Sequence, residues 1–295
     1  MFRMSYSDLT VDAFLLLRTV FFDNNLQPLP FSLRPKRNTQ DDPLDELVSK
    51  LLAEGLTDAT CQKAPGPLIN PDLVIYRPEL CNRQPREKLA NDTTRIVAME
   101  VKKLERTTSG RIARSSGLDY NTTPPCGTVR IYAADDSPLD IRGFYLFVAQ
   151  EATAGNQCVV TALALCDGNV LNDDFDLYLA AVSQREKAID LGTYGNGVDR
   201  QRPMFIFANP LGAQELDQQA TLVSAEQANE RVRLAYRIIR TTAEGDQRQF
   251  HAYRTASDLP DGWQVQVLTD PFPQPNTRVA QTQPRGRFRL PIEVS

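Results

Sequence analysis

The sequence has little histidine, and its cysteines do not follow the patterns of zinc sites or disulfide frameworks. His251 is the single histidine among 295 residues, and no cysteine cluster or serine motif surrounds it. We interpret His251 as structural, which excludes a Ser-His-Asp triad and metal sites with two histidine ligands. The five cysteines include no Cys-x-x-Cys pair, so we expect them to be reduced packing residues.

Long apolar runs are also missing. No stretch of about 18 apolar residues is present, so we expect no transmembrane segment. The apolar segment 11–22 contains Arg18 and lacks a small-residue cleavage site, which argues against a signal peptide. A hydrophobic content of 41% is enough for a substantial core. We therefore expect a single folded domain in the cytoplasm.

The charge is distributed unevenly over an acidic chain with a formal net charge of −4. Residues 95–114 contain six basic side chains and two acids, and residues 278–295 contain four arginines and one acid. Contacts to phosphates supply much of the affinity of DNA-binding proteins, so two basic stretches can form a focused cleft on an acidic body. The alternative is that both stretches are ordinary solvated surfaces.

Two apolar segments that each carry an acid are the most informative part of the sequence. Asp72 follows a proline and opens the β-branched and aromatic run 73–76, which predicts a short buried strand. Residues 95–103 predict a second strand. Because side chains alternate along a strand, Glu100 and Lys102 lie on the same face of it.

Charged side chains in an apolar strand are costly unless they are paired, solvated or bound to a metal. Two carboxylates from neighbouring strands can hold Mg²⁺, and a nearby lysine can orient or help to deprotonate an attacking water. These residue types therefore predict a hydrolytic site built from Asp72, Glu100 and Lys102. The alternative is an ordinary Glu100–Lys102 ion pair beside a turn aspartate.

Pro71-Asp72 followed by Glu100-Val101-Lys102 resembles the motif of the PD-(D/E)XK nuclease superfamily. The chain from about residue 60 to 215 resembles the type II restriction endonucleases of that superfamily. The resemblance implies an enzyme that makes Mg²⁺-dependent double-strand cuts at a specific short, palindromic DNA sequence. It also implies a homodimer, with a cognate DNA methyltransferase as its genetic partner.

The resemblance assigns roles to the residues of the motif. Asp72, Glu100 and Lys102 are the implied catalytic residues. Asp72 and Glu100 would bind Mg²⁺, with the backbone carbonyl of Val101 as a further ligand. In the family an N-terminal helix often adds an acid to the site. Glu46 is a candidate for that role, although a first-turn acid also simply favours the helix dipole.

The polar segment that follows the second strand carries side chains that hydrogen-bond to DNA. Arginine suits guanine and asparagine suits adenine, while the glycines and prolines of the segment shape a backbone that can enter a groove. The alternative is an exposed loop stiffened by prolines. The candidate DNA-binding residues are Lys103, Arg106, Arg111, Arg114, Asn121, Thr122 and Thr123.

We predict an α/β fold with a restriction-endonuclease-like core, in which helices flank a mixed central β-sheet and further β-rich and loop elements recognise DNA. Residues 1–295 form a single endonuclease domain, with N-terminal helices in 1–60, a catalytic core in about 61–215, and a C-terminal helix and β-rich tail in about 216–295. The predicted helices are 6–22 with Ser7 as a candidate N-cap, 43–55 with Asp42 as the cap, 173 or 174 to 189, and 224–239. Predicted strands include 129–132, 143–150, 157–166, 203–209 and 263–268.

Two other functions agree with parts of the same pattern. A structure-selective repair or junction nuclease would keep the catalytic core without a fixed recognition sequence. A non-catalytic DNA-binding protein would carry the acids as ordinary charges at strand ends. The length of sequence devoted to possible base contacts favours a restriction endonuclease.

Overall fold

The computed structural model shows an α/β protein in which few helices flank one large mixed sheet. In the described part of the chain, no helix is long and apolar enough to cross a membrane. The described residues are 6–38, 42–66, 69–105, 119–120, 126–153, 157–173, 203–206, 214–216, 219–224, 230–241, 245–271, 277–279 and 287–294.

The first helix, α1 (Leu9–Phe21), confirms the helix predicted near the N-terminus. Its N-cap is Asp8, whose carboxylate accepts hydrogen bonds from the first-turn backbone, so the prediction of Ser7 as the cap is wrong. Ser7 instead donates its hydroxyl hydrogen bond to Asp12 at 2.5 Å. Ser7 and Asp8 are both residue types that cap helices, and in the structure the carboxylate of Asp8 forms the cap.

The second helix, α2 (Pro43–Gly55), has the predicted boundaries. The Asp42 carboxylate accepts a hydrogen bond from the backbone N–H of Leu44, and proline occupies the first helical position, where no N–H donor is needed. The apolar face of α2 packs against the sheet through Leu44, Val48 and Leu52.

Two short helices follow, α3 (Pro78–Cys81) and α4 (Arg86–Ala90). The strands are β1 (Pro30–Ser32), β2 (Thr60–Lys63), β3 (Leu73–Tyr76), β4 (Ile96–Glu105), β5 (Asp119–Tyr120), β6 (Thr128–Tyr132), β7 (Pro138–Ala152), β8 (Gln157–Asp167), β9 (Pro203–Ile206), β10 (Ala220–Ser224), β11 (Val232–Thr241), β12 (Gln247–Thr255), β13 (Gln266–Pro271) and β14 (Thr277–Val279).

In the described ranges, eleven strands form one sheet with the order β13-β11-β12-β10-β8-β7-β4-β3-β2, while β1 pairs with β8 and β6 pairs with β7. β3 is antiparallel to both β2 and β4, whereas β4 is parallel to β7. The predicted mixed central sheet with flanking helices is therefore confirmed. A separate three-stranded sheet has the order β14-β9-β5.

Three apolar clusters cover the two faces of the large sheet. The Phe14 cluster, which includes Phe14, Leu17, Leu44 and Val48, joins α1 and α2 to one face. The opposite face carries two clusters. The Phe147 cluster, with Leu104, Tyr145, Phe147 and Tyr236, lies over the middle strands, and the Phe288 cluster, with Val74, Ile96, Ile131 and Phe288, lies over β3, β4 and β6. The C-terminal residues 287–294 contribute Phe288 to that third cluster, so the two ends of the described chain lie on opposite faces of the sheet.

The predicted helix over residues 224–239 is wrong, because residues 232–241 form β11, an interior strand between β12 and β13. Exposed Arg233 and Arg237 alternate with buried residues, which is the period of a strand. A bulge between Leu234 and Tyr236 shifts the register and disturbs a strict alternation. This irregularity made the pattern resemble that of an amphipathic helix.

The other predicted elements have different outcomes. The strands predicted at 129–132, 143–150 and 157–166 are confirmed within β6, β7 and β8. Most of the predicted helix 173–189 lies outside the described residues. The predicted strand 203–209 is described only as β9, and the strand predicted over residues 263–268 begins at Gln266.

Candidate active site

The pairing of β3 with β4 places the two predicted acids side by side. Leu73 pairs with Met99 in an antiparallel register, and one further position puts Asp72 opposite Glu100. Side chains that are directly opposite in an antiparallel pair point to the same face. The Asp72 carboxylate also accepts a hydrogen bond from the backbone N–H of Val101, with 2.7 Å between Oδ2 and N.

Glu100 and Lys102 form an ion pair on β4, with 2.9 Å between Oε1 and Nζ. Their side chains are only 16% and 17% exposed, so water screens the pair incompletely. The prediction from strand periodicity that these two residues share a face agrees with this contact.

The pair interrupts an apolar row along β4. Ile96 and Ala98 belong to the Phe288 cluster, and Leu104 belongs to the Phe147 cluster. These residues alternate with residues that face the Phe14 cluster on the other side of the sheet. Glu100 and Lys102 therefore occupy a polar gap between two apolar clusters, where a charged group without a function would be costly.

The neighbouring strand β7 gives this gap an apolar wall. The parallel register places Tyr145 beside Glu100 and Phe147 beside Lys102. The two rings are stacked with 6.4 Å between their centroids, and both residues are buried. A wall of this kind lowers the local dielectric and strengthens electrostatic interactions within the gap.

Burial, followed by the charge of Glu100, raises the pKa of the Asp72 carboxyl to about 7. The ammonium group of Lys102 and the hydrogen bond from Val101 oppose this shift. Two carboxylates are therefore close enough to repel one another, and a cation placed between them would relieve the repulsion.

A third acid, Asp45 in the first turn of α2, faces the same place. Burial, followed by the charges of Asp72, Asp42 and Glu100, raises its pKa to about 8 against the opposing charge of Lys63. Sequence reasoning missed Asp45, although the helical pattern contained a signal. Asp45 lies three and four positions before two buried residues of α2, which places it on the inward side of the helix.

Glu46, the candidate taken from the helix, is placed elsewhere. Its Oε2 accepts from Nε of Arg34 at 2.8 Å, and this contact lowers the pKa of Glu46. Four positions along the helix, Lys50 is exposed, so Glu46 belongs to the outward side of α2. The sequence identified the correct helix, but Asp45, the acid that precedes Glu46, is the one that faces Asp72.

Among the candidate DNA-binding residues, the structure describes Lys103. Lys103 lies on β4 and is half-buried. Arg106, Arg111, Arg114, Asn121, Thr122 and Thr123 lie outside the described residues.

The described chain resumes at Cys126, which is fixed beside the end of β8. Its backbone N–H donates to the side chain of Asn172 at 2.5 Å. The chain passes so close to Gly168 that a Cβ atom there would lie 2.1 Å from the carbonyl oxygen of Cys126. Only glycine permits this approach, so Cys126 is held against the end of β8.

Asp72 and Glu100 carry the oxygen ligands that a hard cation prefers, although they do not form a complete metal site by themselves. Over the residues the structure describes, no group of three or more histidine, cysteine, aspartate or glutamate residues forms a metal site. Mg²⁺, however, is usually bound by one or two carboxylates together with water and phosphate oxygens. Asp72 and Glu100 supply such a pair, and their mutual repulsion favours a cation.

Comparison with known proteins gave no relatives: no family model, curated protein or solved structure matches the chain.

Proposed function

We propose that the protein is a type II restriction endonuclease with a PD-(D/E)XK core, which makes Mg²⁺-dependent double-strand cuts at a specific short, palindromic DNA sequence. The observation that carries the proposal is the convergence of Asp72 with the Glu100–Lys102 pair in the polar gap of β4. Three residues selected from sequence motifs thus lie together, although the acids are 28 positions apart in the chain.

The three side chains have distinct roles in this proposal. Asp72 and Glu100 would hold Mg²⁺, with the backbone carbonyl of Val101 as a further ligand. Bound Mg²⁺ supplies a Lewis acid that lowers the pKa of water and stabilises charge on the phosphate. Lys102 orients the attacking water and neutralises part of the negative charge that develops on the scissile phosphate. Its ion pair with Glu100 keeps the ammonium group in position.

The burial of the site supports chemistry rather than simple charge pairing. An exposed Glu-x-Lys pair contributes little to stability and occurs often on protein surfaces. Here both side chains are mostly buried beside Tyr145 and Phe147, and an aspartate of raised pKa adjoins them. Perturbed carboxylates next to a partly buried lysine are typical of functional sites.

The proposed partners follow from the proposed reaction. A palindromic site is matched by a twofold homodimer, and a cognate DNA methyltransferase would protect the host DNA. Phosphate and base contacts are assigned to Lys103 and to the arginines and polar residues of the 106–125 segment. Cys126, which follows this segment in the chain, lies beside the end of β8 in the sheet that carries Glu100.

The direct test is digestion of several unrelated plasmids with purified protein in the presence of Mg²⁺. Discrete fragments that disappear with Lys102→Ala are expected, and sequencing their ends gives the recognition site and the overhang. Lys50→Ala is the matched control because Lys50 is exposed on α2 and should leave cutting unchanged. Absence of cutting on all plasmids, or cutting that survives Lys102→Ala, rejects the proposal.

The same assays separate the two alternative functions. Nicking of branched DNA without a fixed sequence would indicate a structure-selective nuclease. Mg²⁺-independent binding that is unaffected by Asp72→Asn would indicate a non-catalytic DNA-binding protein.

A further inference from the structure

Four polar side chains converge on the sheet face of the Phe147 cluster. Gln219 donates from Nε2 to the hydroxyl of Tyr236 at 3.4 Å, and Arg254 hydrogen-bonds to the same tyrosine. The antiparallel register of β10 and β12, continued by one position, places Thr221 opposite Arg254. Opposite residues have Cβ atoms about 5 Å apart, so Thr221 and Arg254 are neighbours.

Several polar atoms of this group are buried without partners. Arg254 is 5% exposed and Thr221 is fully buried. In the part of the chain that the structure describes, Nε and Nη2 of Arg254, Oγ1 of Thr221 and Oε1 of Gln219 have no hydrogen-bond partner. Buried polar groups in folded proteins are nearly always hydrogen-bonded to protein, ordered water or a ligand, so this concentration of atoms without partners among the described residues points to a bound group.

The charge of the surroundings indicates which kind of partner fits. Asp258 pairs with Arg18 through both carboxylate oxygens, and it is also the acid whose charge acts most strongly on Arg254. The carboxylate that contacts Arg18 is therefore also the nearby negative charge that acts on Arg254. Burial lowers the pKa of Arg254, as expected for a positive charge with incomplete compensation. An anion compensates this charge, whereas a water molecule does not.

The geometry of the unpaired atoms matches an oxyanion. Nε and Nη2 lie on one edge of the guanidinium group, and this edge donates two parallel hydrogen bonds to a pair of oxygens on one phosphate or carboxylate. Thr221 adds a hydroxyl donor. Rotation of the Gln219 amide exchanges its oxygen and nitrogen, so it can accept from Tyr236 and donate to the ligand.

We propose that Arg254, Thr221 and Gln219 form a binding site for a small free oxyanion of the size of inorganic phosphate. The site is separate from the candidate active site. Lys102, Phe147, Ala164 and Thr221 follow one another on adjacent strands, and three strand spacings amount to about 14 Å. The proposal therefore does not depend on nuclease activity.

The test is thermal unfolding of the whole protein during titration with inorganic phosphate at constant ionic strength. Wild-type protein is expected to show a saturable rise in Tm, about 2 °C at ten times the Kd. Arg254→Met should abolish the rise, and Thr221→Val should weaken the affinity about tenfold or more. Arg83→Met is the matched control, because the Arg83 side chain is 84% exposed and should preserve the response.

Three outcomes would overturn the proposal of a site for a small free oxyanion. One is an equal response of wild type and Arg254→Met, which is the general effect of phosphate on protein hydration. A second is a large loss of Tm in Arg254→Met without phosphate, since this would show that the chain itself compensates Arg254. The third is an Arg254-dependent rise with a deoxynucleoside monophosphate equal to that with phosphate, which would reject the restriction to free oxyanions.

Discussion

The carboxylate of Asp72 accepts its hydrogen bond from the backbone N–H of Val101, the residue that separates Glu100 from Lys102. This contact joins the end of β3 to the middle of β4 across 29 positions of sequence. It fixes Asp72 beside the ion pair without using the side chain of Glu100 or of Lys102. Both side chains of the pair therefore remain directed into the polar gap.

If the protein is the proposed nuclease, Lys102→Ala reduces its Mg²⁺-dependent DNA cleavage by about 10²–10³-fold, because the substitution removes the positive group that the proposal places beside the scissile phosphate. The measurement is the initial rate of plasmid linearisation with the protein in excess. Circular dichroism should show an unchanged fold, and Lys50→Ala should cut at the wild-type rate. A rate loss of the same size in both variants would contradict a specific role for Lys102.

Asp45→Asn is expected to stabilise the metal-free protein at alkaline pH. The Asp45 pKa of about 8 lies above the value of about 3.9 in an unfolded chain, so the folded state retains a proton that the unfolded chain has lost. Stability consequently falls as the pH rises between these values. Asparagine removes this loss because it stays neutral.

The measurement is the Tm of wild type and Asp45→Asn from about pH 4 to pH 9 in the presence of a chelator. The two proteins should be similar at the acidic end and differ by several degrees at the alkaline end. Glu54→Gln is the control, since Glu54 is exposed on the same helix. A difference that does not change with pH would show that charge at Asp45 is not its cause.

Mg²⁺ is expected to raise the Tm of the wild type near pH 8 and to have little effect on Asp72→Asn. Asp72, with a pKa of about 7, is largely ionised there, and a bound cation compensates its repulsion with Glu100. Titration in a thermal unfolding assay gives the apparent Kd. Equal stabilisation of both proteins by Mg²⁺ would exclude Asp72 as a ligand.

Asp258→Ala is expected to cost about 3–5 kcal/mol of unfolding free energy, because it leaves the buried guanidinium of Arg18 without its counterion. Arg130→Ala, which breaks an exposed pair with Asp140, should cost at most about 1 kcal/mol. Urea unfolding measures both values. Replacing Arg18 and Asp258 together by Met and Leu should restore much of the loss, and a double variant no better than Asp258→Ala would contradict this account.

Local signals predicted the elements that position the candidate site. Asp42, Pro43 and Gly55 gave the boundaries of α2, since capping chemistry acts over a few neighbouring residues. Strand periodicity likewise predicted that Glu100 and Lys102 share a face. That Asp72 stands opposite Glu100 required the register of two strands, which no local pattern contains.

Long-range packing decided the remaining features. Asp45 and Glu46 have the same chemistry in the same helical turn, and only the position of α2 on the sheet determines which one faces Asp72. β11 was mistaken for a helix because a bulge disturbs its alternation after Leu234, and its neighbours β12 and β13 supply the pairing that makes it a strand.

The alternation of β4 between clusters on both faces of the sheet restricts how this segment can evolve. Ile96, Ala98 and Leu104 are each enclosed, so a single inserted or deleted residue among them would turn every later side chain to the opposite face. Glu100 and Lys102 would then point to the opposite, apolar face of the sheet. Substitutions can accumulate along this strand, but its length is fixed by the need to keep two charges in one small opening.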